Sequence, residues 1–253
     1  MVKTPSSLRN AERHANLTVA APTTPAQLFH ILRRQVNRPY SNPLILLTPK
    51  ALHFHRQATS ALHDFGPGTF FNRVIDDGKV SDNTRHLSHH PRTGAAFTVP
   101  PPQVRRVILC SGGIYYLLSR ARRTRKVADI VLVRLEQIAP FPHDLVVKAV
   151  EQYKAAEVVW CQEEPKNMGA WRYVQPRYET AMRELVQLQD PSAPAQQGRQ
   201  LRYVGRAAAA SPATASMAIH QAETKHLIDT AMSDSLIPSG AEDLITVHQG
   251  SAA

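Results

Sequence analysis

The chain has 253 residues, of which 43% are hydrophobic and 20% charged, so it can bury a core and is not disordered throughout. Its two cysteines, Cys110 and Cys161, exclude a disulfide scaffold and a multi-cysteine zinc module, and no apolar run approaches the roughly 18 residues that a membrane helix needs. The net charge of +10 indicates an anionic partner, but the basic runs lack interleaved aromatic residues and nucleic-acid-binding motifs, so no nucleic acid is expected to bind.

The first part of the chain predicts a short leader followed by half of an α/β unit. Residues 1–16 carry basic side chains, serines and a single acid, which is typical of a disordered or leader-like segment. Within residues 17–75, Thr24 is a helix N-cap and Pro25 occupies the first helical position. Apolar residues then repeat at helical spacing: Phe29, Leu32 and Val36. The apolar run 44–47 predicts a fully buried strand of a parallel sheet.

A polar connection is predicted for residues 76–104. Its composition combines three prolines in a row with a histidine-rich stretch, which contains His86, His89 and His90. Histidines can bind a metal, but this composition without flanking structure favours an interdomain linker.

Residues 105–236 predict a second α/β domain, because short apolar runs alternate with longer helical segments. The predicted strands are 107–110, 130–133, 158–161 and 201–204, and the predicted helices are 114–125, 143–153, 170–188 and 219–232. This alternation predicts a mostly parallel sheet covered on both faces. Residues 237–253 are expected to form a loose tail.

Two segments that follow predicted strands are candidates for chemistry. The densest is an ordered loop that contains Glu163, Glu164, Asn167 and Gly169, where one glutamate is expected to be buried or paired, Gly169 to allow a tight turn, and Asn167 to bond local backbone. This loop either makes domain contacts, which we favour, or takes part in catalysis. The turn 111–113 exposes backbone N–H groups that could hold a phosphate, although tight packing explains it equally well.

The cysteines do not predict a catalyst. Cys161 with His220 could form a thiol site, but no third orienting group is evident and Cys161 falls in a predicted strand. Both Cys110 and Cys161 are therefore expected to be buried apolar residues.

Seven segments, taken together and in order, resemble the carboxyl-terminal part of the 2-oxoglutarate dehydrogenase family, the thiamine-diphosphate-dependent decarboxylase component. They are TTPAQLFHILRRQ (23–35), PLILLTPKAL (43–52), RVILCSGGIYY (106–116), IVLVRLEQIAPFP (130–142), VVWCQEEPKNMGAWRYVQPR (158–177), RYVGRAAAASPAT (202–214) and His220 with the helix that follows. The stretch 158–177 is the most specific of them.

The resemblance implies a transketolase C-terminal-like, three-layer αβα domain in residues 105–236, preceded in residues 17–75 by the remnant of a pyrimidine-binding α/β domain. Members of the family decarboxylate 2-oxoglutarate oxidatively on thiamine diphosphate and magnesium, and transfer the succinyl group to a lipoyl-bearing succinyltransferase component in the tricarboxylic acid cycle. The resemblance also implies a homodimer, or association with the missing N-terminal part of the same enzyme. It places a eukaryotic member in the mitochondrial matrix and any other member in the cytoplasm.

The chain departs from the family where the coenzyme is held. The Gly-Asp-Gly motif with its later Asn, the histidine-bearing E-H-S-S-A-R segment and the glutamate that activates the aminopyrimidine have no counterpart, and Gly113 stands where lysine is usual. We therefore assign no catalytic, cofactor-binding or metal-binding residue, expect no cofactor on this chain alone, and expect it to be inactive alone. Whether it is itself an enzyme stays open.

Some relatives bind an acyl-CoA or nucleotide regulator in this region. The resemblance suggests five residues for such an anionic contact: Arg33, Lys50, Arg134, Gln162 and Arg206. Ordinary ion pairs between helices and loops are the alternative reading of these side chains. Two alternatives to the leading function stay open, a 2-oxoadipate dehydrogenase-like component and a non-catalytic assembly or dimerisation subunit.

Overall fold

The computed structural model describes residues 15–77, 99–192 and 199–237. Most of the predicted leader, the histidine-rich stretch and the predicted tail after residue 237 lie outside the described residues. Within the described residues there are eight strands and five α-helices: β1 (Thr18–Ala20), α1 (Pro25–Asn37), β2 (Leu44–Leu46), β3 (Val74–Asp76), β4 (Arg106–Cys110), α2 (Ile114–Thr124), β5 (Ile130–Leu135), β6 (Gln137–Ala139), α3 (His143–Glu151), β7 (Glu157–Pro165), α4 (Trp171–Gln189), β8 (Leu201–Arg206) and α5 (Met217–Ala231).

A five-stranded sheet in the order β3-β5-β4-β7-β8 forms the larger part of the fold. Strands β4, β5, β7 and β8 are parallel, and β3 runs antiparallel to β5 at one edge. One face packs on α3 and α4, and the other packs on α2 and α5. This confirms the predicted three-layer αβα domain with a mostly parallel sheet.

The continuous apolar runs of the central strands follow from this double cover. In β4, Val107 and Leu109 face α3 and α4, whereas Ile108 and Cys110 face α2 and α5. All five residues of β4 are buried. A strand covered on both faces has no solvent side, so its sequence shows no polar alternation.

A second, smaller sheet has the strand order β2-β1-β6, with β1 parallel to β2 and antiparallel to β6. Helix α1 packs against it through Ile31, which contacts a small cluster around Ala20 and Phe71. The predicted start of α1 is confirmed, because the Thr24 hydroxyl accepts the N–H of Gln27 at 3.3 Å.

One prediction about this smaller sheet is wrong. Within the described residues, the strand predicted as fully buried is an edge strand covered on one face, so Ile45 is 45% exposed and Leu47 48% exposed. The apolar stripe of α1 points outward, with Val36 84% exposed. The buried side of the helix instead consists of Ala26, Gln27, His30 and Ile31.

The ends of the predicted linker pack within the larger domain. Strand β3 ends at Asp76 and pairs with β5, and the next residue, Asp77, is buried. At the other end Val99 donates its N–H to the Ala128 carbonyl, and Val104 is 1% exposed. The boundary predicted at residue 76 therefore cuts through a strand, because a three-residue edge strand leaves no hydrophobic pattern in the sequence.

One buried polar cluster joins the two sheets. Glu136 is the single residue between β5 and β6, so the chain leaves one sheet and enters the other there. Its carboxylate accepts the Thr23 N–H at 2.7 Å and the Thr23 hydroxyl at 2.5 Å. That hydroxyl also accepts from Arg134 at 2.8 Å, and Tyr116 donates its hydroxyl to the Thr23 carbonyl at 2.6 Å. Burial raises the pKa of Glu136, and the nearby Arg134 and the bonds from Thr23 lower it in part.

A second buried ion pair, between Arg122 and Asp77, connects α2 to the residue that follows β3. The two terminal nitrogens of Arg122 donate to the Asp77 carboxylate at 3.2 and 2.7 Å, and the same carboxylate accepts the Leu132 N–H at 2.9 Å. Both side chains are at most 2% exposed. Such a pair is costly to break from one side, because the other charge stays buried.

We expect Asp77→Ala to lower the free energy of unfolding by about 3–5 kcal/mol, because it deprives the buried Arg122 guanidinium of its carboxylate. The matched control is Asp229→Ala, which breaks the exposed pair with Arg125 and is expected to cost about 1 kcal/mol or less. Urea unfolding at neutral pH measures both. Equal losses for the two variants would contradict this assignment.

Thr23→Val tests the junction between the sheets. The change keeps the side-chain shape but removes the hydroxyl that connects Glu136 and Arg134, so we expect a loss of about 1–3 kcal/mol in the free energy of unfolding. Thr124→Val, at the exposed end of α2, is the control and should be nearly neutral. Thermal unfolding followed by circular dichroism measures the pair, and an unchanged midpoint for Thr23→Val would speak against the junction.

Candidate functional site

The carboxyl ends of β4 and β7 flank the point at which the strand order reverses. From β4 the chain passes through α2 to β5 on one side, and it later passes through α3 to β7 on the other side. Open α/β sheets bind ligands in the crevice outside such a point. Here the crevice is bounded by the turn 111–113 and by the loop that follows Gln162.

The side chain of Gln162 organises this loop. It is 3% exposed, and its Oε1 accepts the indole N–H of Trp160 at 2.9 Å and the backbone N–H of Trp171 at 3.0 Å. Its Nε2 donates toward three carbonyl oxygens of the loop, those of Glu164, Pro165 and Met168. A single buried amide therefore holds the end of β7 and the start of α4 in one conformation.

Gly169 is required by this arrangement. Its φ of +66° lies in the left-handed region, and a Cβ at this position would lie 2.9 Å from Gln162 Nε2. The predicted tight turn is thus confirmed at Gly169.

The partner of Asn167 differs from the prediction of a local backbone bond. Its Nδ2 donates to the Ala209 carbonyl at 2.9 Å, and its Oδ1 accepts the Ala209 N–H at 3.0 Å. The side chain therefore ties the loop after β7 to the loop after β8. Sequence distance concealed this partner, because the two loops meet only through the pairing of β7 with β8.

Strand β7 extends beyond the predicted strand 158–161, so Glu163 and Glu164 lie in the strand and not in the predicted loop. Both are exposed, so the expectation that one would be buried or paired is wrong. Glu163 Oε2 lies 3.8 Å from the position that a Cβ on Gly113 would take. Desolvation in the crevice and then the Glu164 carboxylate raise the pKa of Glu163, and His220 lowers it in part. Because the side chain is substantially exposed, water screens these interactions.

The Glu163 carboxylate affects whether the turn 111–113 could hold a phosphate. Gly112 has a φ of +68°, in the left-handed region, so these residues form the predicted turn between β4 and α2. The Glu163 carboxylate lies beside Gly113, so it places a negative charge next to this turn, which disfavours the binding of a phosphate there. The geometry favours the packing interpretation of the turn.

The described residues contain no cluster of side chains that could hold a metal ion by themselves. Among them, no three His, Cys, Asp or Glu side chains lie close enough to share a metal ion. Magnesium in enzymes is held by carboxylate and phosphate oxygens, and thiamine diphosphate is anchored through such an ion. No step of a thiamine reaction is therefore assigned to these residues.

The five residues suggested for an anionic regulator lie on several elements. Gln162 lies on β7 and Arg206 on the neighbouring strand β8. The Gln162 side chain bonds to the loop described above, and Arg206 forms an ion pair with Glu223 of α5 at 2.6 Å. Arg33 donates to the Thr69 carbonyl at 2.5 Å.

The other two differ in exposure. Lys50 begins an exposed 3-10 helix, Lys50–Phe54, after β2, whereas Arg134 is 1% exposed and stacks 4.1 Å from the centre of the Tyr115 ring. The structure thus brings Gln162 and Arg206 to one region, and the regulatory site stays a prediction.

Both cysteines are fully buried, as expected. They are free thiols that lie opposite each other in the register of the parallel strands β4 and β7. Burial raises the pKa of both the Cys110 and the Cys161 thiol, so neither is a thiolate at neutral pH. A thiol catalyst built on Cys161 and His220 is not supported by this environment.

Sequence reasoning did not single out Thr23 or Glu136. A signal for Glu136 was present, since it is an acid inside the apolar run 130–141. An acid in such a run is seldom buried without a partner. Its partner, Thr23, lies more than a hundred residues away, so no local pattern could identify it.

Replacing Gln162 with leucine tests the role of this amide. It leaves the Trp160 indole and the Trp171 N–H without their acceptor, so we expect a loss of about 2–4 kcal/mol in the free energy of unfolding. Gln187→Leu, exposed on α4, is the control and should change stability little. Denaturant unfolding measures the difference, and similar stabilities would show that the loop does not depend on Gln162.

Two family models match this chain, and together they cover most of its length. The family model described as "2-oxoglutarate dehydrogenase C-terminal" matches residues 59–232, and "Transketolase, pyrimidine binding domain" matches residues 5–54. The first begins well before the predicted boundary at residue 105. Among solved structures, one described as "Split gene transketolase, inactive beta4 tetramer" is similar with a TM-score of 0.47 and 12% identity, over 85% of this chain and 56% of that chain.

The curated relatives are named as 2-oxoglutarate dehydrogenases. The 2-oxoglutarate dehydrogenase E1 component of Brucella anthropi is 37% identical over 217 residues, which cover 86% of this chain and 20% of the relative. The mitochondrial 2-oxoglutarate dehydrogenase of Caenorhabditis elegans is 40% identical over 214 residues, which cover 84% of this chain and 18% of the relative. The chain thus spans about a fifth of the length of these relatives. With its αβα sheet and a family match over most of its length, this chain belongs to the 2-oxoglutarate dehydrogenase C-terminal family.

Proposed function

We propose that this chain supplies the carboxyl-terminal αβα domain, together with the end of the pyrimidine-binding domain, to a 2-oxoglutarate dehydrogenase E1 component. Such a component decarboxylates 2-oxoglutarate oxidatively and transfers the succinyl group to a lipoyl carrier. The observation that supports the proposal is the family match over residues 59–232, which runs through the Gln162 loop and the Glu136 junction. The curated relatives are named for 2-oxoglutarate, which favours this substrate over 2-oxoadipate.

In this proposal the residues of the chain act as a scaffold. Thiamine diphosphate supplies the decarboxylation chemistry of the enzyme when it is bound, and the groups that anchor it come from other parts of the E1 component. The Glu136 and Thr23 contact fixes the end of the pyrimidine-binding domain relative to the αβα domain. The Gln162 loop holds the crevice at the ends of β4 and β7 in one conformation.

The proposed setting follows from the same assignment. The lipoyl-bearing succinyltransferase component is the proposed partner, and the tricarboxylic acid cycle the proposed pathway. We place the protein in the mitochondrial matrix in a eukaryotic cell and in the cytoplasm in a bacterial cell. Among the helices of the described residues, none combines the length and the apolar character that a membrane-spanning segment needs.

A second candidate is a non-catalytic assembly subunit that completes an E1 polypeptide encoded elsewhere. The observation that favours it is the smaller sheet, whose outer strand β2 has one strand neighbour within the described residues and exposes Ile45. A surface of this kind is suited to binding another polypeptide.

The proposed function predicts two results in an assay with 2-oxoglutarate, magnesium, thiamine diphosphate and an artificial electron acceptor. The chain alone should show no turnover, because its sequence lacks the Gly-Asp-Gly motif and the glutamate that activates the aminopyrimidine in the family. A chimera in which this chain replaces the matched region of the Brucella anthropi E1 component should retain kcat within about tenfold of the parent, or about 1.4 kcal/mol in the barrier.

The control for the chimera is the Brucella E1 component with its matched region deleted, which should be inactive. A chimera that folds but shows no turnover would contradict the proposed function. Turnover by the chain alone would contradict the scaffold role.

A further inference from the structure

A surface cleft of about 330 Å³ lies where the end of α2 meets one side of α5. Arg125, which follows α2, forms one wall. The rest of the lining comes from five residues of α5: His220, Gln221, Thr224, Lys225 and Ile228. Because these five recur at the spacing of one helix face, the cleft extends along roughly 12 Å of α5. Ile228 supplies apolar surface, since it packs on the hydrophobic cluster beneath the helix.

Positive charge dominates the surroundings of this cleft. Residues 114–128, which form α2 and the chain that follows it, carry five cations and no Asp or Glu. Lys225 has no ion-pair partner among the described residues. The acids of α5 are both engaged in ion pairs, which are Glu223 with Arg206 and Asp229 with Arg125. An acidic segment is therefore complementary to this cleft.

The last described residue is anchored next to α5. Ile237 is 2% exposed and packs in the cluster that contains Leu227 and Ala231 of this helix. Its N–H donates to the Glu157 carboxylate at 3.1 Å, and its carbonyl accepts from Arg202. The chain therefore continues into residues 238–253 from a fixed point near the carboxyl end of α5.

The residues that follow this point have the composition that the cleft selects. Residues 238–253 contain two acids, Glu242 and Asp243, and no Lys or Arg. The acids are followed by the largely apolar run 244–247, whose sequence is Leu-Ile-Thr-Val and favours an extended conformation. The family model ends at residue 232, so this segment is a feature of the chain that the model does not cover.

The length of the segment also fits. Five peptide units separate Ile237 from Glu242, which is enough to span roughly 17 Å, and the extended run 244–247 is about 13 Å long, close to the length of the cleft. Glu163 lies near His220, so acids of the segment are favoured at the other end, beside Arg125. Attachment to the same chain gives the segment an effective concentration on the order of millimolar, which favours it over a second copy.

We propose that residues 242–247 bind in cis to the cleft beside α5. Glu242 and Asp243 pair with Arg125 and Lys225, and the apolar side chains of residues 244–247 cover Ile228 and continue toward His220. The bound segment thereby connects the end of α2 to α5. This inference does not depend on the proposed function, because it concerns contacts within one chain.

The test is carbodiimide coupling of the 253-residue chain, which joins a lysine amine to a carboxylate in direct contact and is followed by mass spectrometry. We expect Lys225 to couple to Glu242 or Asp243 within one chain, and the yield to fall at high salt, because salt screens the ion pairs. Lys154 is the internal control. It is exposed and follows α3 on the other face of the large sheet, so it should not couple to these acids.

The double variant Leu244→Ser, Ile245→Ser keeps both acids but removes the apolar contact. It should lower the coupling yield at Lys225 at least about tenfold, because less apolar surface is buried on binding. The matched control is Leu62→Ser, Leu188→Ser, which removes two exposed leucines from other elements and should couple like the unchanged chain.

A charge exchange provides a second measurement that does not use coupling. In the unchanged chain we expect slow hydrogen exchange at the backbone amides of residues 244–247. Lys225→Glu should make this exchange fast, because it places like charges together, and its combination with Glu242→Lys and Asp243→Lys should slow the exchange again.

Three outcomes would overturn the proposal. They are equal coupling of Lys225 and Lys154 to the two acids, an unchanged yield in the Leu244→Ser, Ile245→Ser variant, and coupling found only in cross-linked dimers, which would place the segment on a second copy. If a variant does not fold, the exchange measurement on the unchanged chain decides, and fast exchange throughout residues 244–247 rejects the contact. An active Brucella chimera with any of these results would leave the proposed function intact.

Discussion

The arrangement of the two sheets depends on the hydrogen bonds between the buried Glu136 carboxylate and Thr23. Glu136 lies between β5 and β6, where the chain leaves one sheet for the other, and both of its oxygens accept hydrogen bonds from Thr23. A buried carboxylate is tolerated only when donors and a cation surround it, and Arg134 supplies the cation. Thr23 lies between β1 and α1, so the position of the smaller sheet follows from this contact.

The crevice at the ends of β4 and β7 shows a similar use of internal contacts. In many α/β sheets this position binds a ligand, but here Gln162 bonds only to the chain itself and Glu163 faces Gly113. The Gln162 amide is thus committed to contacts within the chain. This supports a structural role for Gln162 in the most specific family segment.

Sequence patterns predicted the central strands and helices because their signals are local. The apolar runs in β4, β5 and β7 are continuous, since helices cover both faces, and the start of α1 is encoded by adjacent Thr24 and Pro25. Strands β1, β3 and β6 were missed because three residues are too few to show a period. The partner of Asn167 was missed for a different reason, since Ala209 becomes its neighbour only after β7 and β8 have paired.

The sequence by itself determined the family, the alternation of strands and helices, and the buried state of the two cysteines, because motif identity and hydrophobic runs are properties of contiguous residues. Only the tertiary structure decided which side of α1 is buried, that Ile45 and Leu47 are exposed, and that Glu136 joins the two sheets. Periodicity shows that a segment has an apolar face, but whether that face is covered depends on elements that are distant along the chain. In the smaller sheet the described residues provide a cover for one face, and the apolar side chains of the other face remain in contact with solvent.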